Sequence, residues 1–353
     1  MSQSYPQFKP QLEGLRAVAA FGVLLTHTAF QTGVNPGTIF GAVLARFDYF
    51  VAVFFALSAF LLWRNFHRQG YYLRRAARII PACWVCVLLV VAFLPEAFDI
   101  NLGTIFATLS FTQIYFPNSL AGGLTHLWSL AVEVAFYLVL PLLFRLLSPY
   151  RRTTRISLFL ILACLSFIWS GTPWPESGVN FQIFPPSYIP WFVVGLVLAE
   201  LETVVYLPAI LRWLSWPLAV FVAWIAGQEW FGPLGLVHPN PGEFVLRIMA
   251  GTLFCALVIT PYALADTSKS VLSTPVALWL GKISYSIFLW HVPLLSLVFP
   301  LLGINIFSGN FFLVTSMTSA LSVAVAFISY ELVEEPARIW AKKQYVNEDQ
   351  SAL

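Results

Sequence analysis

Arg16 and His27 stand eleven residues apart in the apolar run LRAVAAFGVLLTH. On a helix that spacing is about three turns and roughly 16 Å of rise, so both side chains share one face. A neutral imidazole in such surroundings suits taking a proton from a hydroxyl, or acting as a nucleophile itself. The structural alternative is a histidine held by Thr26 or Thr28 and an arginine reaching for headgroups. Glu133 stands inside HLWSLAVEVAFYLVLPLL, where a carboxyl group has to face inward. His126 begins that stretch, at a boundary where a solvated loop histidine would also sit. His291 in ISYSIFLWHVPLL has Ser284 two turns earlier on the same face, or else is a core histidine bonded to a carbonyl freed by Pro293. Asp48 opens a second apolar run and Ser58 lies within it. In YYLRRAARIIP, Arg74, Arg75 and Arg78 form either a clamp for phosphate or a topology anchor against anionic lipid.

Other chemistries lack their signatures. There is no G-x-S-x-G, P-loop, G-x-G-x-x-G or H-E-x-x-H, and no clustered metal ligands, so no metal is expected. Cys83 and Cys86 make a C-x-x-C without a second pair or nearby histidine, which reads as two core cysteines on one helix, and no disulfide framework is implied.

The elements that position these residues are membrane helices. Of the 353 residues, 59% are hydrophobic and 10% charged, against roughly 45–50% and about 25% in soluble domains. A formal charge of +3 is too slight for a nucleic-acid surface. Apolar runs at about 14–31, 47–65, 79–97, 127–147, 156–173, 188–203, 213–231, 244–264, 280–300 and 312–333 predict ten spans. The N-terminal run reads as an uncleaved first span, since no A-x-A site follows it. Segment 101–116 is short, with Thr104, Thr108 and Thr112 at helical spacing, and reads as surface-lying or re-entrant. With ten spans and a cytoplasmic N-terminus, the inner side receives Lys9, Arg64, Arg68, Arg74, Arg75, Arg78, Arg145, Arg151, Arg152, Arg155, Arg212, Lys269, Arg338, Lys342 and Lys343. Only Arg46 and Arg247 fall clearly outside. Eleven spans would flip the cluster at 145–155 outward. The expectation is therefore an all-α polytopic membrane protein with both termini cytoplasmic, a single domain over 1–345 and a polar tail over 346–353. Trp128, Trp174, Trp191 and Trp230 read as outer interfacial anchors, and Trp63, Trp213, Trp279 and Trp340 as inner ones.

Taken in order, LEGLRAVAAFGVLLTH, VAVFFALSAFLL, YYLRRAARIIP, HLWSLAVEVAFYLVLPLL and ISYSIFLWH resemble the motifs of the acyltransferase-3 family of membrane acyltransferases across nearly the whole chain. The resemblance implies transfer of an acyl group, commonly acetyl from acetyl-CoA, to a hydroxyl of an envelope glycan or glycolipid at the bacterial plasma membrane. It implies His27 as the catalytic histidine, Arg16 as its motif partner, Arg74, Arg75 and Arg78 as the donor-binding motif, Glu133 as the acidic residue and His291 as a recurrent histidine. The family often has Asp and Gly where this chain has Ala52 and Ala59; Asp48, one turn before Ala52, is the carboxylate nearest in sequence. Within the family the chain most resembles acetyltransferases acting on trehalose monomycolate. On this reading acetyl-CoA docks its phosphates on the arginines, Arg16 lines the inner mouth, His27 serves as base, and Glu133 orients it or holds the acceptor. The acceptor enters from outside near the aromatic stretch from Trp174 to Trp191. The rivals are a transporter or flippase for a lipid-linked sugar or small solute, whose paired repeats are not visible here, and a membrane sensor without catalysis.

Overall fold

In the computed structural model, residues 8–66, 70–175, 177–235, 237–265 and 270–351 are described, the last seven of them for backbone only. Arg68 and Lys269, two of the expected inner charges, lie outside these residues. The helices are α1 (Pro10–Gln31), α2 (Ile39–Ala45), α3 (Phe50–Arg64), α4 (Tyr71–Phe93), α5 (Leu102–Leu109), α6 (Trp128–Leu147), α7 (Arg152–Ser170), α8 (Ile189–Leu201), α9 (Leu211–Ala226), α10 (Pro241–Ala263), α11 (Pro275–Lys282), α12 (Ser284–Leu302), α13 (Phe311–Ser329) and α14 (Glu335–Ser351). Among the described residues there is no strand, only a single bridge between Leu207 and Ala265.

Seven helical stretches, Ile39–Arg64, Tyr71–Phe93, Thr125–Leu147, Arg152–Ser170, Pro241–Ala263, Ser284–Leu302 and Phe311–Gln344, are long and apolar enough to cross a membrane. The chain is an all-α polytopic membrane protein. The other three expected spans are helices α1, α8 and α9. The first has 22 residues, its hydropathy diluted by Glu13, Arg16 and His27; the other two have 13 and 16. Segment 101–116 holds α5, whose eight residues reach only about 12 Å, too short to cross. The helix after α13 runs on through a π-turn at Tyr330–Glu334 into α14, so residues 346–351 continue a helix.

Cross-contacts sort the helix ends into two sets. At one end, Lys9 reaches the Ala263 carbonyl and pairs with Glu202 at 3.1 Å, and Arg64 pairs with the same carboxylate at 3.0 Å. Arg155 grips Glu200 with Nε and Nη2 at 2.7 and 2.6 Å, and Trp63 Nε1 donates to Glu200 at 2.6 Å. This pins α3, α7 and α8 together, and makes Trp63 a core residue rather than an interfacial anchor. Trp191 is likewise buried, donating to the Ile248 carbonyl at 3.1 Å, because each indole N–H finds its partner inside the bundle. At the opposite end Arg46 donates to the Ala226 carbonyl at 2.7 Å, Arg247 to Phe231 at 2.6 Å and the Phe307 amide to Gln31 at 2.7 Å. The helices α1, α3, α4, α6, α7, α8, α9, α10, α12 and α13 therefore run alternately between the two ends.

The centre of the bundle is α3, packed on α8, α10 and α1. Ala52, Ala56 and Ala59 are fully buried. A Cβ at Gly195 of α8 would fall 2.0 Å from the Ala56 carbonyl oxygen, so small residues set how closely these helices approach. With Ala52 and Ala59 on α3, no carboxylate projects from it at those positions.

Candidate active site

The basic end of the bundle opens into a cavity of about 310 Å³. Lys9, Glu13 and Arg16 of α1 and its leading residues, Arg64 at the end of α3, and Arg74, Arg75 and Arg78 on the first turns of α4 all line it, so six cations face one carboxylate. The geometry follows from sequence order. Gly70 takes a left-handed backbone with φ of 66° and lets α4 start abruptly beside the end of α3. Residues 74, 75 and 78 then occupy successive turns. Glu202 engages Lys9 and Arg64. Arg16, Arg75 and Arg78 have no ion pair among the described residues. The Arg75 guanidinium lies 6.0 Å from the Tyr137 ring centre, and the Arg16 Nε is buried without a hydrogen-bond partner. A cluster of guanidinium groups with spare donors fits phosphate.

Arg16 also lines a second, smaller cavity of about 30 Å³, shared with Phe54, Ser129, Glu133, Tyr285 and Phe288. That is room for little more than water. Glu133 Oε1 accepts hydrogen bonds from both Ser58 and Tyr137, whose hydroxyls are 3.2 Å apart. Tyr137, one turn beyond Glu133 on α6, is an unforeseen member of the site whose only sequence signal is its i, i+4 spacing from Glu133. Glu334 is a second unforeseen member. The π-turn carries it into the core, 1% exposed, where Ser286 donates to it at 3.3 Å and it acts electrostatically on Arg78. Its neighbours in sequence read as the start of a solvated tail, and nothing local announces a π-turn.

Beyond Phe288 three histidines meet. His27 Nδ1 lies 2.9 Å from His291 Nε2, and His291 Nδ1 lies 2.6 Å from the Phe288 carbonyl. His126 sits with its ring 4.9 Å from that of His291 and 6.5 Å from that of His27. His126 and His291 are 3% and 0% exposed, whereas His27 keeps part of its surface open. The reading of His126 as a solvated loop histidine is thus overturned, for a reason on α12. Pro293 has no N–H, which leaves the Leu289 carbonyl without its helical donor. The carbonyl freed by Pro293 goes to His126 Nε2 at 3.2 Å, not to His291.

The remaining site candidates divide. Ser58 joins Glu133, as described. Ser284 is buried at the start of α12, its hydroxyl without a partner, two turns from His291. Asp48 lies exposed in the turn Phe47–Tyr49 ahead of α3, so it is not on the helical face that carries Ala52. Glu133 has no hydrogen bond to His27, whose ring partner is His291. Among the described residues no group of three His, Cys, Asp or Glu side chains is placed to hold a metal ion. Cys83 and Cys86 are buried thiols on α4, the latter pointing at the Leu289 carbonyl at 3.5 Å. A further cavity of about 530 Å³, between α1, α9, α10 and α11, is lined by apolar side chains such as Phe21, Phe254 and Trp216.

The O-acetyltransferase OatA of Staphylococcus aureus is 24% identical over 367 residues, covering 94% of this chain and 58% of its own length. The peptidoglycan O-acetyltransferase OatA of Listeria monocytogenes is 24% identical over 399 residues, covering 97% of this chain and 57% of its own. The chain thus spans less than two thirds of the length of these relatives. No solved structure matches it. The acyltransferase domain of the acyltransferase-3 family matches residues 9–331, which hold the basic cavity, the Glu133 cluster and all three histidines, and the chain belongs to that family.

Proposed function

We propose that this protein is an O-acetyltransferase of the bacterial plasma membrane that takes an acyl group, most simply acetyl from acetyl-CoA, at its basic end and passes it to a hydroxyl of an envelope glycan or glycolipid. The observation that carries this reading is that Arg16 lines both the cationic cavity and the small cavity beneath the histidines. A donor whose phosphates rest on Arg74, Arg75 and Arg78 extends its pantetheine arm past Arg16 toward His27. Family membership counts against the transporter rival, and the transfer assay below separates an enzyme from a sensor without catalysis.

In the reaction, His27 takes the proton from the acceptor hydroxyl. The oxygen attacks the thioester carbonyl, the carbon–sulfur bond breaks, and the thiolate leaves with the proton that His27 gives back. Arg16 and the Glu133 cluster line the way in from the basic end. The acceptor approaches from the opposite end, where Trp174, Phe181 and Phe184 pack in a chain of rings with centroids 4.9 and 5.1 Å apart. Peptidoglycan is the acceptor named for the Listeria relative, and trehalose monomycolate is the second acceptor to try.

The test is to incubate purified protein in lipid nanodiscs with radiolabelled acetyl-CoA and either peptidoglycan fragments or an envelope lipid extract. Wild type moves label into a glycan or glycolipid, whereas folded His27→Ala loses at least roughly a thousandfold in rate, as expected for a residue that carries the chemistry. An active His27→Ala protein rules this mechanism out. A fast protein-bound acetyl burst before transfer would show that His27 forms an acyl intermediate instead.

A further inference from the structure

The histidine pair carries more information than proximity, because a hydrogen bond between two ring nitrogens needs one proton and one lone pair. The Phe288 carbonyl can only accept, so His291 Nδ1, 2.6 Å away, bears a proton. Were His291 also protonated on Nε2, it would be an imidazolium with 0% exposure, packed against the Phe288 ring and His126. No carboxylate is hydrogen-bonded to any of the three rings among the described residues, and Glu133 is held by Ser58 and Tyr137. A cation buried without a counter-ion is too costly to keep. His291 Nε2 is therefore bare, and the proton in the 2.9 Å bond belongs to His27 Nδ1. His126 does not disturb this order, since Nε2–H donates to the Leu289 carbonyl and Nδ1 is left as an unpartnered lone pair.

We propose that His291 is a positioning residue that selects the tautomer of His27: a chain from the Phe288 carbonyl through His291 to His27 Nδ1 leaves His27 Nε2 as the bare, reactive nitrogen. The role of that nitrogen in taking the acceptor proton rests on the acyltransferase reading above, but the tautomer itself does not. A backbone carbonyl and a neutral imidazole here do together what a buried carboxylate does for the histidine of a hydrolase, holding ring orientation and proton position. Once Nε2 has taken the acceptor proton, the Nδ1–H still has a partner, so the transient imidazolium is not left unsatisfied.

The experiment uses the full chain in nanodiscs with ¹⁵N-labelled histidine, assigning the His27 signals by their loss in His27→Ala. The expected wild-type spectrum shows His27 with a protonated Nδ1 and an unprotonated Nε2. A proton on Nε2 overturns the proposal. His291→Leu removes the acceptor, and is expected to move His27 to the Nε2–H tautomer and to lower kcat by roughly a hundredfold or more, with donor affinity within about twofold. His291→Gln, whose amide can donate to the Phe288 carbonyl and accept from His27, is expected to restore the tautomer and most of the rate. A His291→Leu protein that turns over like wild type counts against the proposal. So does a His291→Gln protein with its His27 proton on Nε2, which keeps the question decidable even where the leucine variant does not fold. A wild-type protein that shows the expected tautomer but transfers no acyl group would sink the reaction and leave the tautomer assignment standing.

Discussion

At the level of single residues, the sequence exposed the ionisable groups by their cost. Arg16, His27, Glu133 and His291 stand out because an apolar helix has no cheap place for them. What could not be read was pairing across long separations. His27 and His291 are 264 positions apart, and their contact depends on α1 packing against α12. His126 looked like a loop residue because the proline that supplies its carbonyl partner lies on another helix. Glu133 shows what a short-range pattern does offer, with Tyr137 one turn away closing the hydrogen bonds on its carboxyl oxygen. Glu133→Gln retains an oxygen to accept from Ser58 and Tyr137 but removes any negative charge beside Arg16 in their shared cavity. The expected result is a protein with an almost unchanged melting temperature and a kcat lowered roughly 10- to 100-fold, a barrier increase of about 1.4–2.7 kcal/mol. A variant with the wild-type rate would mean that this carboxyl group only ties α3 to α6.

Elements were legible where hydrophobicity alone makes them. Helices α6, α7, α10, α12 and α13 lie close to where apolar runs put them, α4 starts at Tyr71, eight residues ahead of its run, so that the basic segment becomes its first turns, and α5 is as short as its threonines suggested. Helices α8 and α9 are shorter than the spans drawn for them, because α8 stops at Leu201 ahead of the turn at 202–204, and α9, although it starts two residues early, stops at Ala226 ahead of Gly227 and the turn Glu229–Phe231. The tryptophans misled in two cases. Trp63 and Trp191 sit near helix ends but point inward, where a carboxylate and a carbonyl satisfy them. The N-terminal turns of α4 are the element on which the proposed donor binding rests. If Arg75 and Arg78 hold phosphates, Arg75→Gln with Arg78→Gln raises the donor KM at least about tenfold while kcat at saturating donor falls less than about threefold. The loss should shrink with rising salt, since the wild-type attraction is screened. Unchanged donor affinity, read by direct binding of radiolabelled acetyl-CoA, would leave these arginines as topology anchors.

For the whole molecule, the charge asymmetry seen in sequence and the alternation of helix ends in three dimensions are independent observations that agree. Lys9, Arg64, Arg74, Arg75, Arg78, Arg152 and Arg155 gather at one end through contacts between helices far apart in the chain. Arg46 and Arg247 lie at the other, each held by backbone carbonyls. Lysine and arginine stay on the cytoplasmic side during insertion, so the expected orientation turns the cavity with six cations toward the cytoplasm and the segments at 32–38 and 303–310 away from it. Two exposed serines, Ser148 between α6 and α7 and Ser308 between α12 and α13, test this directly. In a protein with Cys164 replaced by alanine, a membrane-impermeant maleimide applied to intact cells stripped of their wall is expected to label Ser308→Cys and spare Ser148→Cys. Inverted vesicles should reverse the pattern. Labelling of both from one side would break the alternation, since an odd number of crossings, α7 to α12 without α11, separates the two positions. It would also remove the physical basis for a donor entering at one face and an acceptor at the other, because the histidines would then have to serve both from the same compartment.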